Sequence, residues 1–279
     1  MLLLGIDVGG GSVKAAGVAD GAVAWTGQSD RYENPSPARV AAAIRQAVGG
    51  RADGVAGVGL CVPGILSDDR TRVALSVNVP GLNGVPLAGL ATEALGRPVP
   101  RVRVLNDSTA AGYDLYLGRK LEGRLFLMVL GTGVGVCVMD PGGPLSVDGD
   151  SPGHFGQMDV SVEGHPVVGP DGGAGSLEGY VGTAALAAAY GPGVDPAKAL
   201  RADHPAGRAL ARAIRIAHAM YRPHHVVLAG GVGVRLGHLL PGLRAAVEDR
   251  LTGIARPGWT LSTGEGDFHA AAGAARAAG

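Results

Sequence analysis

Short apolar strands alternating with helical segments predict an α/β protein. A strand–glycine–strand motif that occurs twice predicts two halves of related fold. It appears first at Leu2–Lys14, LLLGIDVGGGSVK. It returns where the apolar run Leu125–Leu130 meets Gly131-Thr132-Gly133 and then Val134–Met139. With 279 residues the chain suits two modest domains. The expected division is 1–108 and 109–267, with a closing helix at 268–279 packing back on the first domain.

The opening run is a buried strand by length and flanks. Gly9, Gly10 and Gly11 permit a tight turn with positive φ, where backbone N–H groups can approach an anion. Val13–Val18 and the segment 22–25 then read as further strands, so the turn is a hairpin. A Rossmann fingerprint needs a helix there, and a P-loop needs Gly-Lys-Ser/Thr. Neither is present.

Pro37–Gly49 has Val40, Ile44 and Val48 at helical spacing and ends on a glycine pair. Gly54–Val62 is a buried strand broken by Pro63-Gly64, and Val73–Leu75 is a brief one. Ser76–Pro86 is a loop rich in Asn and Gly, followed by a short helix over Leu87–Leu95. Val102–Leu105 is a strand ending at Asn106-Asp107, and Asp107 or Ser108 is the expected cap of a helix from Thr109 to about Leu117.

After the second hairpin, Asp140–Gly175 is long, rich in Gly and Pro, and aperiodic; loops of this length are uncommon unless functional. Helices are expected over Leu177–Tyr190, Pro196–Ala202 and Pro205–Tyr221, the last with Ala209, Ala213, Ile216 and Met220 on its apolar face. Val226–Ala229 is a buried strand ending at Gly230-Gly231. Leu236–Leu251 and the Ala-rich Phe268–Ala278 are helical. A cleft is expected between the halves, where strand ends and glycine turns converge.

Composition narrows the function. Formal net charge is zero, so there is no basic field for nucleic acid. No run approaches the ~20 apolar residues of a membrane span. The leading run lacks a basic start and leads straight into Asp7, so no signal peptide is expected and the protein should be cytoplasmic. Cys61 and Cys137 lie in apolar runs, form no CxxC pair, and read as small buried hydrophobes. His165, His224 and His225 lack a partner pattern and read as surface or strand-edge residues.

Chemistry can gather at four places. Asp107, at a strand end and a helix start, reads either as a simple cap or as a base for a substrate hydroxyl. The turns at Gly9–Gly11, Gly131–Gly133 and Gly230-Gly231 can surround a polyphosphate, and phosphoryl transfer needs mainly positioning and charge stabilisation. Asp7 can hold magnesium through water, while Thr132 and Gly133 can donate to phosphates. Lys14 reads equally as a phosphate contact or a solvated strand lysine.

Seven segments in order resemble the ROK family of bacterial sugar kinases, within the actin-like ATPase superfamily. They are GIDVGGGSVK near the start, GVGLCVPGIL at 57–66, NVPGLNGVPL at 78–87, VRVLNDSTAAG at 102–112, MVLGTGVGV at 128–136, SLEGYVG at 176–182 and VVLAGGV at 226–232. The resemblance implies two ribonuclease-H-like domains, ATP and magnesium as cofactors, a sugar or polyol substrate, and a homodimer or homotetramer. It gives Asp107 the role of catalytic base. It makes Gly64, Asn78, Asn106 and Glu178 part of the sugar site, and gives Asp7, Gly10, Thr132, Gly133, Gly230 and Gly231 roles toward phosphate, nucleotide and metal; Gly9 and Lys14 are expected beside them from the glycine turn itself.

One segment departs from the family pattern. Where the family has Gly-Glu-x-Gly-His and then a cysteine-rich zinc loop, this chain has Gly153-His154-Phe155-Gly156-Gln157 and a cysteine-free stretch at 167–176. Zinc is therefore not expected. His154 and Gln157 can still hydrogen-bond a substrate. The expected activity is ATP-dependent phosphorylation of a sugar-like hydroxyl. The alternatives are a sugar-binding sensor without turnover and a kinase using polyphosphate.

Overall fold

The computed structural model describes residues 1–99, 101–147 and 151–279. The chain divides into two compact units: residues 1–121 with 268–279, and residues 122–267.

The first unit is built on a five-stranded sheet. Strands β1 (Leu2–Val8), β2 (Val13–Ala19) and β3 (Ala22–Gln28) form an antiparallel meander. Helix α1 (Pro37–Val48) leads to β4 (Val55–Val62), which lies parallel to β1. The small pair β5 (Ile65–Leu66) and β6 (Val73–Leu75) and helix α2 (Leu87–Leu95) precede β7 (Val102–Asn106), parallel to β4. Strand order is β3-β2-β1-β4-β7. Helix α3 (Asp107–Gly118) follows directly.

Alternation along β1 and β4 sorts the two faces. Leu4, Ile6, Val8, Val58, Leu60 and Val62 form a core with Val40 and Ile44 of α1 and Leu87 and Leu90 of α2. The opposite face carries Gly5, Gly57, Gly59, Asp7 and Cys61. A side chain on Gly5 or Gly59 would strike backbone atoms of Ala271 or Ala274. An alanine-rich helix therefore lies almost directly on the sheet, its buried face made of Ala271, Ala272, Ala274 and Ala275.

In the second unit, β8 (Leu125–Leu130) and β9 (Val134–Asp140) form a hairpin, extended by β10 (Gly143–Pro144). Helices α4 (Leu177–Val181), α5 (Thr183–Tyr190), α6 (Pro196–Ala199) and α7 (Pro205–Tyr221) precede β11 (His225–Ala229), parallel to β8. The short α8 (Gly230–Gly233) and α9 (Leu240–Glu248) lead to β12 (Thr260–Thr263), parallel to β11. The order β10-β9-β8-β11-β12 repeats that of the first sheet, so the expected duplication is present. Stacked Phe126 and Tyr221, with the Phe155 ring against Phe126, anchor this core. Helix α10 (His269–Ala277) then returns to the first unit.

Several expectations need correction. The contact boundary falls at 121/122 rather than 108/109, because α3 packs against α10; a side chain on Gly273 would strike the Ala110 carbonyl. The helix expected over Leu177–Tyr190 breaks at extended Gly182, and the one expected over Leu236–Leu251 is α helix only over α9, with a 3₁₀ turn at Gly237–Leu239. On α7, Met220 is exposed and Ile216 is only partly buried. The buried face instead includes Leu210, Ile214, Ala217 and His218. Strand β12 was not anticipated, since TLST offers one aliphatic residue in four. His224 and His225 sit at the strand edge with partners: His224 Nδ1 accepts from the Arg124 N–H at 2.7 Å, and His225 Nδ1 lies 2.8 Å from Thr260 Oγ1. Both cysteines are buried and neither forms a disulfide, as expected of small buried hydrophobes.

Candidate active site

In the first unit, the strand ends assemble a pair of carboxylates. Asp7 lies opposite Lys14 on β2 and Cys61 on β4. The Cys61 thiol lies 3.6 Å from the Asp7 carboxylate and 3.6 Å from the Ala270 carbonyl of α10. Asp7 keeps some solvent contact although protein surrounds it densely. Burial first, and then the charge of Asp107, push the Asp7 carboxyl up to about 6, with Lys14 opposing. Burial also raises Asp107. The Lys14 ammonium sits 5.8 Å from the centre of the Phe268 ring.

Asn106 is the cap of α3, in place of the expected Ser108 or Asp107. Its Oδ1 accepts from the Ser108 N–H at 3.0 Å and the Ser108 hydroxyl at 2.7 Å. Its Nδ2 donates to the Gly64 carbonyl at 3.2 Å. The Asp107 Oδ1 also accepts from the Ser108 N–H, at 2.7 Å. Gly64 has φ of +112°, and a Cβ there would strike the Leu75 carbonyl, so only glycine is comfortable.

The loop after β6 is fixed by its other polar residues. Asn83 Oδ1 accepts from the Ser76 N–H at 2.8 Å, and Ser76 Oγ accepts from the Val79 N–H at 3.1 Å. Asn78 is exposed, and its side chain has no hydrogen-bond partner among the described residues. The turn after β1 passes beside it: a Cβ on Gly10 would lie 3.1 Å from the Asn78 carbonyl. None of Gly9, Gly10 and Gly11 adopts the positive φ expected of them; close approach, not handedness, is what Gly10 allows. The Tyr32 hydroxyl donates to the Gly9 carbonyl at 2.6 Å and steadies the turn.

In the second unit, Gln157 and Glu178 come together. Gln157 Nε2 donates to Glu178 Oε2 at 2.6 Å and to Asp171 Oδ2 at 2.7 Å. Glu178 is raised by burial and then by Asp171, opposed by hydrogen bonds from the Val134 N–H and Gln157. It also fills the space where Gly133 would carry a side chain. Asp171 was not singled out in the sequence, where it is one more polar residue in an aperiodic loop. His154 is exposed. Thr132 is exposed at the hairpin turn, whose Gly131 carbonyl accepts from the Thr183 hydroxyl at 2.8 Å. Gly230, the first residue after β11, has φ of +80° and is pressed against the Leu130 backbone; Gly231 is open. Among the described residues, no group of three or more His, Cys, Asp or Glu is placed to hold a metal, and no helix is long and apolar enough to cross a membrane.

Two units of this topology, with carboxylates and glycine turns at the strand ends, define the fold of the actin-like ATPase and hexokinase class. The family model described as the ROK family matches residues 3–278, and the chain belongs to that family. Among solved structures, it is similar to the ROK hexokinase of Thermus thermophilus, at 26% identity over 100% of this chain and 98% of that one, with a TM-score of 0.70. A ROK family glucokinase from Streptomyces griseus, solved with glucose and AMPPNP, is 22% identical over 100% and 99% of the two chains, with a TM-score of 0.73. A ROK family transcriptional regulator, a homologue of the E. coli MLC protein, is 18% identical over 99% of this chain and 76% of that one, with a TM-score of 0.76. No curated protein matches the chain.

Proposed function

We propose that the protein is an ATP- and magnesium-dependent kinase acting on a hydroxyl of a sugar or sugar-like polyol. The observation that supports this most is the carboxylate pair of the first unit. Asp7 and Asp107 repel one another within dense protein, with Lys14 as the cation opposing Asp7. Such a donor set fits a hard divalent cation beside Asp7. When bound, magnesium supplies charge neutralisation of the phosphoryl group in transfer.

In this reading Asp107 takes the proton of the substrate hydroxyl. Burial raises its basicity, and the Ser108 N–H holds the carboxylate in place to accept the proton. Asn106, locked between the α3 cap and Gly64, and Asn78, with its amide unspent, bind neighbouring hydroxyls. Glu178 accepts from further hydroxyls, with Gln157 orienting it. His154 is exposed and remains available to a substrate. The backbone at Gly9 and Gly10, with Thr132, Gly133, Gly230 and Gly231, serves the phosphates and nucleotide, and Lys14 opposes their charge.

A sugar-binding sensor is the second reading. Gln157 spends its amide on two carboxylates, a use that needs no substrate. An ADP-release screen against hexoses, amino sugars, deoxy sugars and polyols decides between them, with polyphosphate run as a parallel donor. A substrate whose turnover falls by about 10²–10⁴ in Asp107→Asn is expected. A sugar that raises thermal stability without any turnover overturns the kinase reading in favour of the sensor.

A further inference from the structure

The second unit contains a recess of about 540 Å³ on the outer side of α7, walled by α7, the end of α9 and the 161–163 loop. Its floor is apolar, formed by Val162, Ala211 and Ala246, and its wall is charged, with four arginines and three carboxylates. Arg208, Arg212 and Arg215 follow the i, i+4, i+7 spacing that puts them on one face of α7, and Arg250 joins from beyond α9. Like charges at this spacing oppose helix formation, so the row is unfavourable unless something answers it.

The chain answers it only in part. Of the carboxylates on the rim, Asp203 is engaged by Arg201 through two bonds of 3.0 and 3.1 Å. Asp249 lies 3.6 Å from Arg250, and Glu163 is exposed. Arg208, Arg212 and Arg215 have no carboxylate within 4.0 Å among the described residues. Arg212 donates one N–H to the Ser161 carbonyl at 2.8 Å, and Arg215 one to the Ala246 carbonyl at 3.2 Å. Backbone carbonyls thus aim the two guanidinium groups without neutralising them. Burial, and then Arg250 and Arg212, hold Arg215 below its ordinary basicity, with Asp249 opposing.

We propose that this recess is a binding site for a small organic phosphate carrying two or more negative charges. Guanidinium forks match phosphate oxygens bidentately, several arginines together suit a multiply charged group, and the apolar floor suits a compact organic body. The volume falls within the roughly 300–1,000 Å³ usual for small-molecule sites. The site lies wholly within the second unit, and its residues are none of those given roles in phosphoryl transfer.

Calorimetric titration at low salt tests it with inorganic phosphate, pyrophosphate and a hexose 6-phosphate as separate probes. The proteins are the wild type, Asp107→Asn, the double variant Arg208→Gln/Arg212→Gln, and Arg250→Gln. The expected result is binding of pyrophosphate or the hexose phosphate that Asp107→Asn retains. Both arginine variants should weaken it by about tenfold or more, and added salt should weaken it too. Circular dichroism checks that the variants fold, and the exposed Arg250 gives a second reading should the double variant fail. Binding unchanged in the arginine variants, or no binding of any probe at millimolar concentration, overturns the proposal. Because the test reads binding alone, its failure leaves the kinase reading standing.

Discussion

Replacing Asp7 by Asn should stabilise the protein while destroying its proposed activity. The carboxyl ionises at 3.8 when exposed and at about 6 in the fold. At about 1.36 kcal/mol per pH unit, keeping Asp7 charged costs the folded state about 3 kcal/mol above pH 6. The asparagine amide, buried without an assured acceptor, returns about 1 kcal/mol of that, leaving a gain of about 2 kcal/mol. For domains of this size, each kcal/mol moves the melting temperature by roughly 2–4 °C, so a rise of about 4–8 °C is expected at pH 8. The sign reverses the usual carboxylate case. The folded pKa is raised, so the penalty is full above about 6 and fades as falling pH protonates Asp7 in the fold, and the advantage of the variant should vanish near pH 4.5. Differential scanning calorimetry of both proteins at pH 8 and pH 4.5, without nucleotide or metal, measures this. An unchanged or lower melting temperature at pH 8, or an equal rise at both pH values, would refute the assignment of Asp7 as a strained, functionally retained charge.

Three further outcomes are expected. Gly59→Ala should cost about 3 kcal/mol, because the new methyl meets the backbone of Ala274; hydrogen exchange should show α10 losing protection before the second unit does. His218 is buried edge-on against Trp259, at 4.6 Å between ring centres, and neither ring nitrogen has a partner among the described residues. His218→Phe should therefore stabilise by about 1 kcal/mol at neutral pH. Burial holds the His218 pKa below 6.5, so the unfolded chain takes up the proton first, the wild type weakens as pH falls below 6.5, and the gain should grow from pH 7 to pH 5 in urea melts. Asp171→Asn should lower the pKa of Glu178 by removing a neighbouring charge, visible in a carboxyl ¹³C titration; an unmoved Glu178 would mean that burial alone raises it.

The parts of the fold that read easily from the sequence are those whose signal is local. Helix α1 has a Ser36 cap, Pro37 in its first turn and Gly49 left-handed at its end, and each is visible in the order of residues. The central strands are continuous apolar runs. Strand β12 was missed because it is a short edge strand whose place comes from pairing with β11, 35 residues away in register (His225 with Thr260). The cap of α3 was misassigned by one or two residues because three adjacent side chains, Asn106, Asp107 and Ser108, all have capping chemistry. Only the Gly64 carbonyl, which takes the Asn106 amide, separates their roles. At the candidate site, Asp7 and Asp107 could be picked out as strand-end carboxylates, but their mutual repulsion depends on a sheet register that no local pattern encodes. The Gln157–Asp171 contact and the arginine recess are likewise products of segments distant in sequence.

The first unit is discontinuous, and this bears on how the protein is made. The sheet face of Gly5, Gly57 and Gly59 has no side chains of its own to cover it, and its cover, α10, is translated only after the whole of the second unit. Until α10 arrives the first unit has an open backbone surface, a window in which chaperones and proteases have access. The Cys61 thiol, within reach of both the Asp7 carboxylate and the Ala270 carbonyl, ties the arrival of that last helix to the surroundings of the carboxylate. A nascent chain therefore carries the residues of its proposed phosphoryl site long before it has the environment that gives them their chemistry.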